Sequence, residues 1–333
     1  MTKAIRLLIT GATGAIGPAV VREALLSGYQ IRTLATDPPK ESWGNEVEVV
    51  QGDITDSETV SRAMRGMDMV CHMAALLHIF NPIPSMEERY FRINVHGTRN
   101  IVVAAADSGV QRIVFPSTIA VYGDSSGQIL SENSTTRPDT WYAKTKLEGE
   151  TIVLGARSSE GRPLGVVLRL GAVYGPRIQG NYRRLLHSLA KRRFIPIGKG
   201  TNRRTLVYDR DVARAILLVL SHPGAAGNIY NVSDGAYHTL NQIIETMCRA
   251  LARPAPKVSI PEGPVRMIVN LVERCSHSIG VPPPVTRSMV DKYTEDMAVD
   301  SSLIRSELGF MPAYDLSQGW TETIDIMRRS GEL

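Results

Sequence analysis

Short runs of consecutive apolar residues alternate, through the first half of the chain, with longer stretches whose apolar positions return every three or four residues. The runs predict strands at 5–10, 31–35, 47–51, 69–73, 113–116 and 165–170. The longer stretches predict helices at 16–27, 57–65, 86–107 and 142–157. Polar residues do not alternate strictly within the runs, as expected of strands covered by helices on both faces. Repeated strand–helix–strand order then predicts an α/β fold, a doubly wound parallel sheet.

The pattern loosens after about residue 175, where Pro, Gly and Arg become frequent. Residues 255–264 and 281–284 are Pro-rich and read as irregular. We expect residues 1–175 to form the larger unit, with 205–235 returning to it through a helix at 212–220. Residues 176–333 then make mostly a smaller C-terminal α/β lobe over the sheet edge, which would bind substrate. Val265, Ile268, Val269, Val272 and Cys275 recur at helical spacing, a stripe expected to pack on that lobe rather than on a partner or membrane.

Composition narrows the class. With 43% hydrophobic and 21% charged residues, the 333-residue chain is neither disordered nor a multi-span membrane protein. A formal charge of +5 suits an anionic small molecule, and no basic tract interleaved with aromatics points to nucleic acid. Cys71, Cys248 and Cys275 are too scattered for a disulfide framework and read as small buried apolar residues in a reducing compartment. The apolar run near the start is too short for a signal peptide, and no stretch reaches the length of a membrane span. The expectation is a soluble, cytoplasmic protein with no metal, since the seven histidines form no ligand cluster.

The strongest local signal is Thr10-Gly11-Ala12-Thr13-Gly14-Ala15-Ile16-Gly17, placed between a strand and a helix. In that context Gly11 allows a sharp turn, Gly14 lets the backbone approach a pyrophosphate, and Gly17 lets helix and strand pack closely. The helix start offers free N–H groups to phosphates.

The G-x-x-G-x-x-G spacing resembles the extended branch of the short-chain dehydrogenase/reductase superfamily, the NAD-dependent epimerase/dehydratase group, whose fold is Rossmann-type. The resemblance places Asp53 and Ile54 beside the adenine and Ala74 and Ala75 where small residues leave room for a cofactor. Residues 94–100, from Asn94, are another signature of the branch. NAD enzymes often end the second strand with an acidic residue for the ribose diol. Here Ala35 holds that place and Thr36 follows, so Asp37 is the nearest candidate. The lack of a basic residue at Thr36 favours NAD, with NADP still open.

Tyr142 and Lys146 form Tyr-x-x-x-Lys, and a four-residue step puts both on one helix face. A nearby ammonium favours the phenolate, so Lys146 is expected to lower the Tyr142 pKa and to hold the ribose. Tyr142 can then exchange a proton with a carbinol or carbonyl oxygen. Aligned on Val121-Tyr122-Gly123, the family hydroxyl falls at Thr118, with Ser117 beside it as the alternative. The Asp-Glu pair that dehydratases carry next is replaced by Ile119 and Ala120, which argues against loss of water.

Residues 169–176, then Asn181 and Arg204, look like nucleotide-sugar epimerases, in which the corresponding Arg grips the diphosphate and the Asn assists. The Arg-x-Gly-Asp segment of many UDP-hexose epimerases is absent; residues 292–297 read Lys-Tyr-Thr-Glu-Asp-Met. The leading expectation is an NAD-dependent nucleotide-sugar 4-epimerase, which the resemblance implies to be a homodimer through the helices of Asn94 and Tyr142. The alternative is an NAD(P)H-dependent ketoreductase or alcohol dehydrogenase acting on a non-nucleotide substrate, favoured by the missing phosphate motif and the apolar segment 74–83 with His78 and Phe80.

Overall fold

Seven parallel strands, β1 (Arg6–Thr10), β2 (Gln30–Ala35), β3 (Val47–Gln51), β4 (Met69–His72), β5 (Arg112–Thr118), β6 (Gly165–Leu170) and β7 (Ile229–Val232), form the main sheet. Their spatial order is β7-β6-β5-β4-β1-β2-β3, so the direction of winding reverses between β1 and β4. The computed structural model describes residues 4–39, 43–77, 86–278, 281, 283 and 286–333. Within them the fold is the doubly wound α/β arrangement that the apolar runs predict.

Helices α1 (Gly17–Leu26), α7 (Asp209–Ser221) and α11 (Ser302–Leu308) cover one face, with Val20, Ile216 and Ile304 in a shared apolar cluster. Helices α2 (Ser57–Met64), α4 (Gly97–Asp107) and α5 (Trp141–Leu154) cover the other, through Val60, Ile101 and Val153. The long stretch expected to be one helix is divided: α3 (Met86–Tyr90) meets α4 through a π-helical turn at Phe91–His96. Such wide turns are frequent at functional sites, and this one carries Asn94. β6 is buried along its whole length, which explains a run that is apolar at all but one position. Its one charge, Arg169, must therefore be neutralised inside the protein.

Residues 209–232 supply α7 and the edge strand β7. Residues 302–310 also lie against that strand, with Leu308 and Phe310 in its core, a return that the sequence pattern does not announce.

A third apolar cluster joins α6 (Asn181–Ala190), α8 (Leu240–Ala250) and α12 (Leu316–Arg329), with Trp320 stacked on Tyr174. Helix α9 (Glu262–Ser278) precedes α10 (Arg287–Thr294) and departs from expectation. Val269 is buried, but Ile268 and Cys275 of its apolar stripe are exposed, as are Met267 and Leu271. Cys71 and Cys248 are buried as expected; Cys275 is not.

Candidate active site

The turn after β1 needs glycine for two separate reasons. Gly11 has φ +70°, and a Cβ there would lie 2.6 Å from the Ala74 nitrogen at the end of β4. A Cβ on Gly17 would lie 2.0 Å from the Ala12 carbonyl oxygen, so α1 can start against the turn only without one. At Gly14 a Cβ would meet only the Gly11 oxygen, at 3.1 Å, leaving that side of the turn open. No side chain caps α1, and Pro18 occupies its first turn. Open backbone beside an uncapped helix start is the cradle a pyrophosphate needs, with Thr13, Ala15 and Ile16 in the same turn.

His72 ties this turn to its neighbours. The Thr98 hydroxyl donates to the Asn94 carbonyl at 2.6 Å, so its oxygen is left to accept from His72 Nε2 at 3.0 Å. His72 Nδ1 then accepts from the Thr10 hydroxyl at 2.7 Å, and that oxygen accepts the Ala74 N–H at 3.2 Å. One tautomer satisfies the whole chain. Burial, aided by the charge of Lys146, pulls the ring down to about 3, so it is neutral at physiological pH.

Asn94 is 2% exposed and fully engaged. Its Oδ1 accepts from the Leu76 N–H at 2.7 Å, and its Nδ2 donates to the Leu76 carbonyl at 3.1 Å and to Thr145 Oγ1 at 3.0 Å. It therefore joins the loop after Ala74 and Ala75 to the residue preceding Lys146 and shapes the site through them. His78 and Phe80, in the segment noted above, lie outside the described residues.

Of the candidates for the adenosine end, Ile54 is buried beneath Gly97, where a Cβ would come within 2.5 Å of its Cδ1. Asp53 is exposed at the end of β3 and accepts the Thr55 N–H, while Asp56 caps α2. Asp37 is exposed just past β2 and accepts from the Thr36 hydroxyl at 3.2 Å.

Tyr142 and Lys146 stand one turn apart on α5, which Thr140 caps through the Ala143 N–H. Lys146 is 2% exposed, its Nζ 3.7 Å from the centre of the Phe115 ring. Burial pulls it down to about 7, against the opposing pull of Glu150. Burial, and then Tyr90, push the Tyr142 phenol up to about 12. That corrects the expectation of a lowered phenol: in the protein alone desolvation outweighs any help from the ammonium. Tyr142 is thus a protonated donor at neutral pH. Lys144, the competing lysine, is exposed over Trp141.

The two candidate hydroxyls of β5 face different surroundings. Thr118 lines a cavity of about 470 Å³, and its Oγ1 accepts the Ala120 N–H. Ser117 points into the interior, where Glu150 also receives Arg169 through Nε and Nη2. Arg169 continues to the Tyr122 hydroxyl at 3.0 Å, which donates to Asn231 Oδ1 at 2.8 Å. Sequence reasoning missed this buried network, whose one signal was a charge, Arg169, within an otherwise apolar run.

Asn181, first residue of α6, lines the same cavity as Thr118, as does Arg204. Arg204 is already engaged: Nη1 meets Glu295 at 3.3 Å, and Nη2 donates to the Lys292 and Tyr293 carbonyls at 2.5 and 3.1 Å. Tyr182, Leu185, Phe194, Leu240, Met289 and Met297 make much of the remaining wall apolar. Among the described residues no group of His, Cys, Asp and Glu could hold a metal ion, and no helix is long and apolar enough to cross a membrane.

Comparison with known proteins gives the family and the fold. The model of the NAD dependent epimerase/dehydratase family matches residues 7–233, and the chain belongs to that family. It is 28% identical over 321 residues to the N-acetyl-alpha-D-glucosaminyl-diphospho-ditrans,octacis-undecaprenol 4-epimerase of Escherichia coli O157:H7, covering 96% of this chain and 94% of the relative. It is 27% identical over 333 residues to a 3 beta-hydroxysteroid dehydrogenase/Delta 5-->4-isomerase of Mycobacterium tuberculosis, covering 96% and 89%. Among solved structures it resembles DesIV, the dTDP-glucose 4,6-dehydratase of Streptomyces venezuelae crystallised with NAD, at TM-score 0.77 and 25% identity over 98% of this chain and 97% of that one.

Proposed function

We propose that this member of the NAD-dependent epimerase/dehydratase family is a nucleotide-sugar 4-epimerase, working through a transient 4-keto sugar. One observation carries the reading: Thr118, Asn181 and Arg204, drawn from three separate parts of the chain, line one cavity. NAD, when bound, supplies the hydride acceptor at the carbinol carbon. The turn Gly11–Gly17 holds its pyrophosphate, Ala74 and Ala75 leave it space, and Lys146 holds the nicotinamide ribose. Asp37 and Asp53 serve its adenosine end.

Thr118 donates a hydrogen bond to the substrate oxygen and orients it. Tyr142 takes the 4-hydroxyl proton as the carbonyl forms and returns it when the alcohol is restored. A phenol raised by burial is a poor base, so the forward step needs positive charge close by, from the oxidised nicotinamide and the Lys146 ammonium. Ile119 and Ala120 provide no acid and base for dehydration. The related E. coli protein, by its name a 4-epimerase of a sugar joined through a diphosphate to undecaprenol, supports 4-epimerisation but not the nucleotide.

A specific observation favours a second reading. Arg204 is matched by Glu295 and the cavity wall is rich in apolar and aromatic groups, which would suit net oxidation or reduction of a non-nucleotide alcohol or ketone. The related hydroxysteroid dehydrogenase supports that alternative. Purified protein incubated with UDP-hexoses separates the two. An epimerase interconverts C4 epimers with retained NAD and no net change in nicotinamide absorbance. Consumption of added NADH with a ketone, and no interconversion, overturns the first reading. We also propose a homodimer through the outer faces of α4 and α5; light scattering that gives a monomer mass excludes it.

A further inference from the structure

The charged end of the cavity is organised by residues 203–205 running beside residues 295–299. Met297 N–H donates to the Arg203 carbonyl at 2.9 Å, and the Thr205 hydroxyl oxygen accepts the Val299 N–H at 2.9 Å. In this register Asp296 faces Arg203, with its Oδ2 at 2.6 Å from Nη2, near the half-buried rim. Its neighbour Glu295 faces the cavity, with Oε2 at 3.3 Å from Arg204 Nη1 and Oε1 at 2.9 Å from Lys292 Nζ. Lys292 has a second carboxylate, the more exposed Asp139, at 3.6 Å.

Two features make Glu295 more than a passive partner. Arg204 is anchored independently, because Nη2 is held by the Lys292 and Tyr293 carbonyls and only Nη1 reaches Glu295. Removing the carboxylate charge therefore leaves the guanidinium in place. Second, Arg204, Lys292 and Glu295 all line the cavity that Thr118 lines, with side-chain exposures of 13% for Arg204 and 17% for Glu295. An anion entering this end meets two cations whose nearest half-buried counter-charge is Glu295.

We propose that Glu295 is a specificity-determining residue, an internal counter-anion that occupies Arg204 and Lys292 until the phosphate groups of a substrate displace it. The proposal rests on the nucleotide-sugar reading above and adds to it. Glu295 lowers the affinity of the site for bare anions and so selects substrates that bring further contacts along the apolar wall. A charged carboxylate competes with phosphate for the same N–H donors, whereas an amide does not carry that charge.

Calorimetry with two probes tests it, inorganic pyrophosphate and UDP, on wild type, Glu295→Gln and Glu295→Ala, with and without Arg204→Gln. Both Glu295 variants should bind pyrophosphate about tenfold more tightly than wild type, and Arg204→Gln should cancel that gain. The two substitutions differ in size, so agreement between them excludes a packing artefact. Pyrophosphate binding that is unchanged or weaker in both overturns the proposal, even where UDP binds well and the nucleotide reading survives. A gain for pyrophosphate with no added affinity for UDP leaves the counter-anion standing and removes the nucleotide reading instead.

Discussion

Ser117 Oγ donates to Glu150 Oε1 at 2.5 Å, turning away from the cavity that its neighbour Thr118 lines. Successive residues of a strand point to opposite faces, so the sheet itself separates the two hydroxyls. Thr118→Ala should reduce turnover by about 100-fold with NAD affinity unchanged. Ser117→Ala should keep most turnover but lower unfolding free energy by about 1–3 kcal/mol, because Glu150 loses a buried donor. Steady-state kinetics and denaturant titration on both variants check this. Larger catalytic damage from Ser117→Ala would reverse the assignment.

In the proposed mechanism Tyr142 exchanges the proton at the substrate oxygen. Tyr142→Phe removes only the hydroxyl, so turnover should fall by about 100-fold to 10,000-fold while NAD still binds. Because burial and Tyr90 push the phenol up to about 12 in the protein alone, cofactor binding must bring it down. Phenolate absorbance should therefore appear at lower pH with NAD bound than without it. Identical titrations in the two states would contradict that coupling.

The neutral His72 chain makes a stability prediction with a definite sign. Its folded pKa is about 3, against an ordinary 6.5, because burial and Lys146 oppose the charged ring. The contribution is fully present above about pH 6.5 and is lost as pH falls toward 3, since the unfolded chain takes up the proton first. Wild type should lose about 1–3 kcal/mol through this residue between pH 7.5 and pH 4.5. His72→Gln should be less stable at pH 7.5 and lose less over the same interval. Parallel urea titrations that show equal losses would sink the idea.

The span 165–170 matches β6 end to end because a strand buried along its whole length is apolar but for Arg169, while 47–51 matches β3, an edge strand of which only Val47 is buried. The glycine turn was legible because Gly11 and Gly17 have no steric alternative. Asn94 was found as a family signature, yet its partners Leu76 and Thr145 are set by a π-helical turn that periodicity does not encode. The pairing of Arg204 with Glu295 was hidden for another reason. It joins residues 91 positions apart through a strand-like register that no local pattern announces.

Cofactor choice turns on the residues just past β2. Asp37 is exposed there and Thr36 carries no charge, so a ribose 2′-phosphate would meet a carboxylate and no cation. NAD should bind at least about tenfold more tightly than NADP, a difference of about 1.4 kcal/mol. The double change Thr36→Arg with Asp37→Ser should narrow or invert that ratio. Fluorescence titration of both reduced cofactors measures it, and equal affinities in wild type would remove Asp37 from the ribose site.

Glu150 and Arg169 are 1% and 4% exposed and face each other through three contacts of 2.7–3.2 Å. Taking both ions from water is costly, and their attraction repays it only while each has its partner. Arg169→Met alone strands Glu150 and should cost about 3–5 kcal/mol. Glu150→Leu alone strands Arg169 at a similar cost and also removes the carboxylate that supports the Lys146 ammonium. The double variant should recover much of the lost stability, since neither charge is then left unpaired. Its turnover should not recover, because Lys146 still lacks the Glu150 charge. A double-mutant cycle read by both denaturation and kinetics separates the two roles of Glu150: additive stability losses would show that the pair is not coupled, and restored turnover would show that Lys146 does not depend on it.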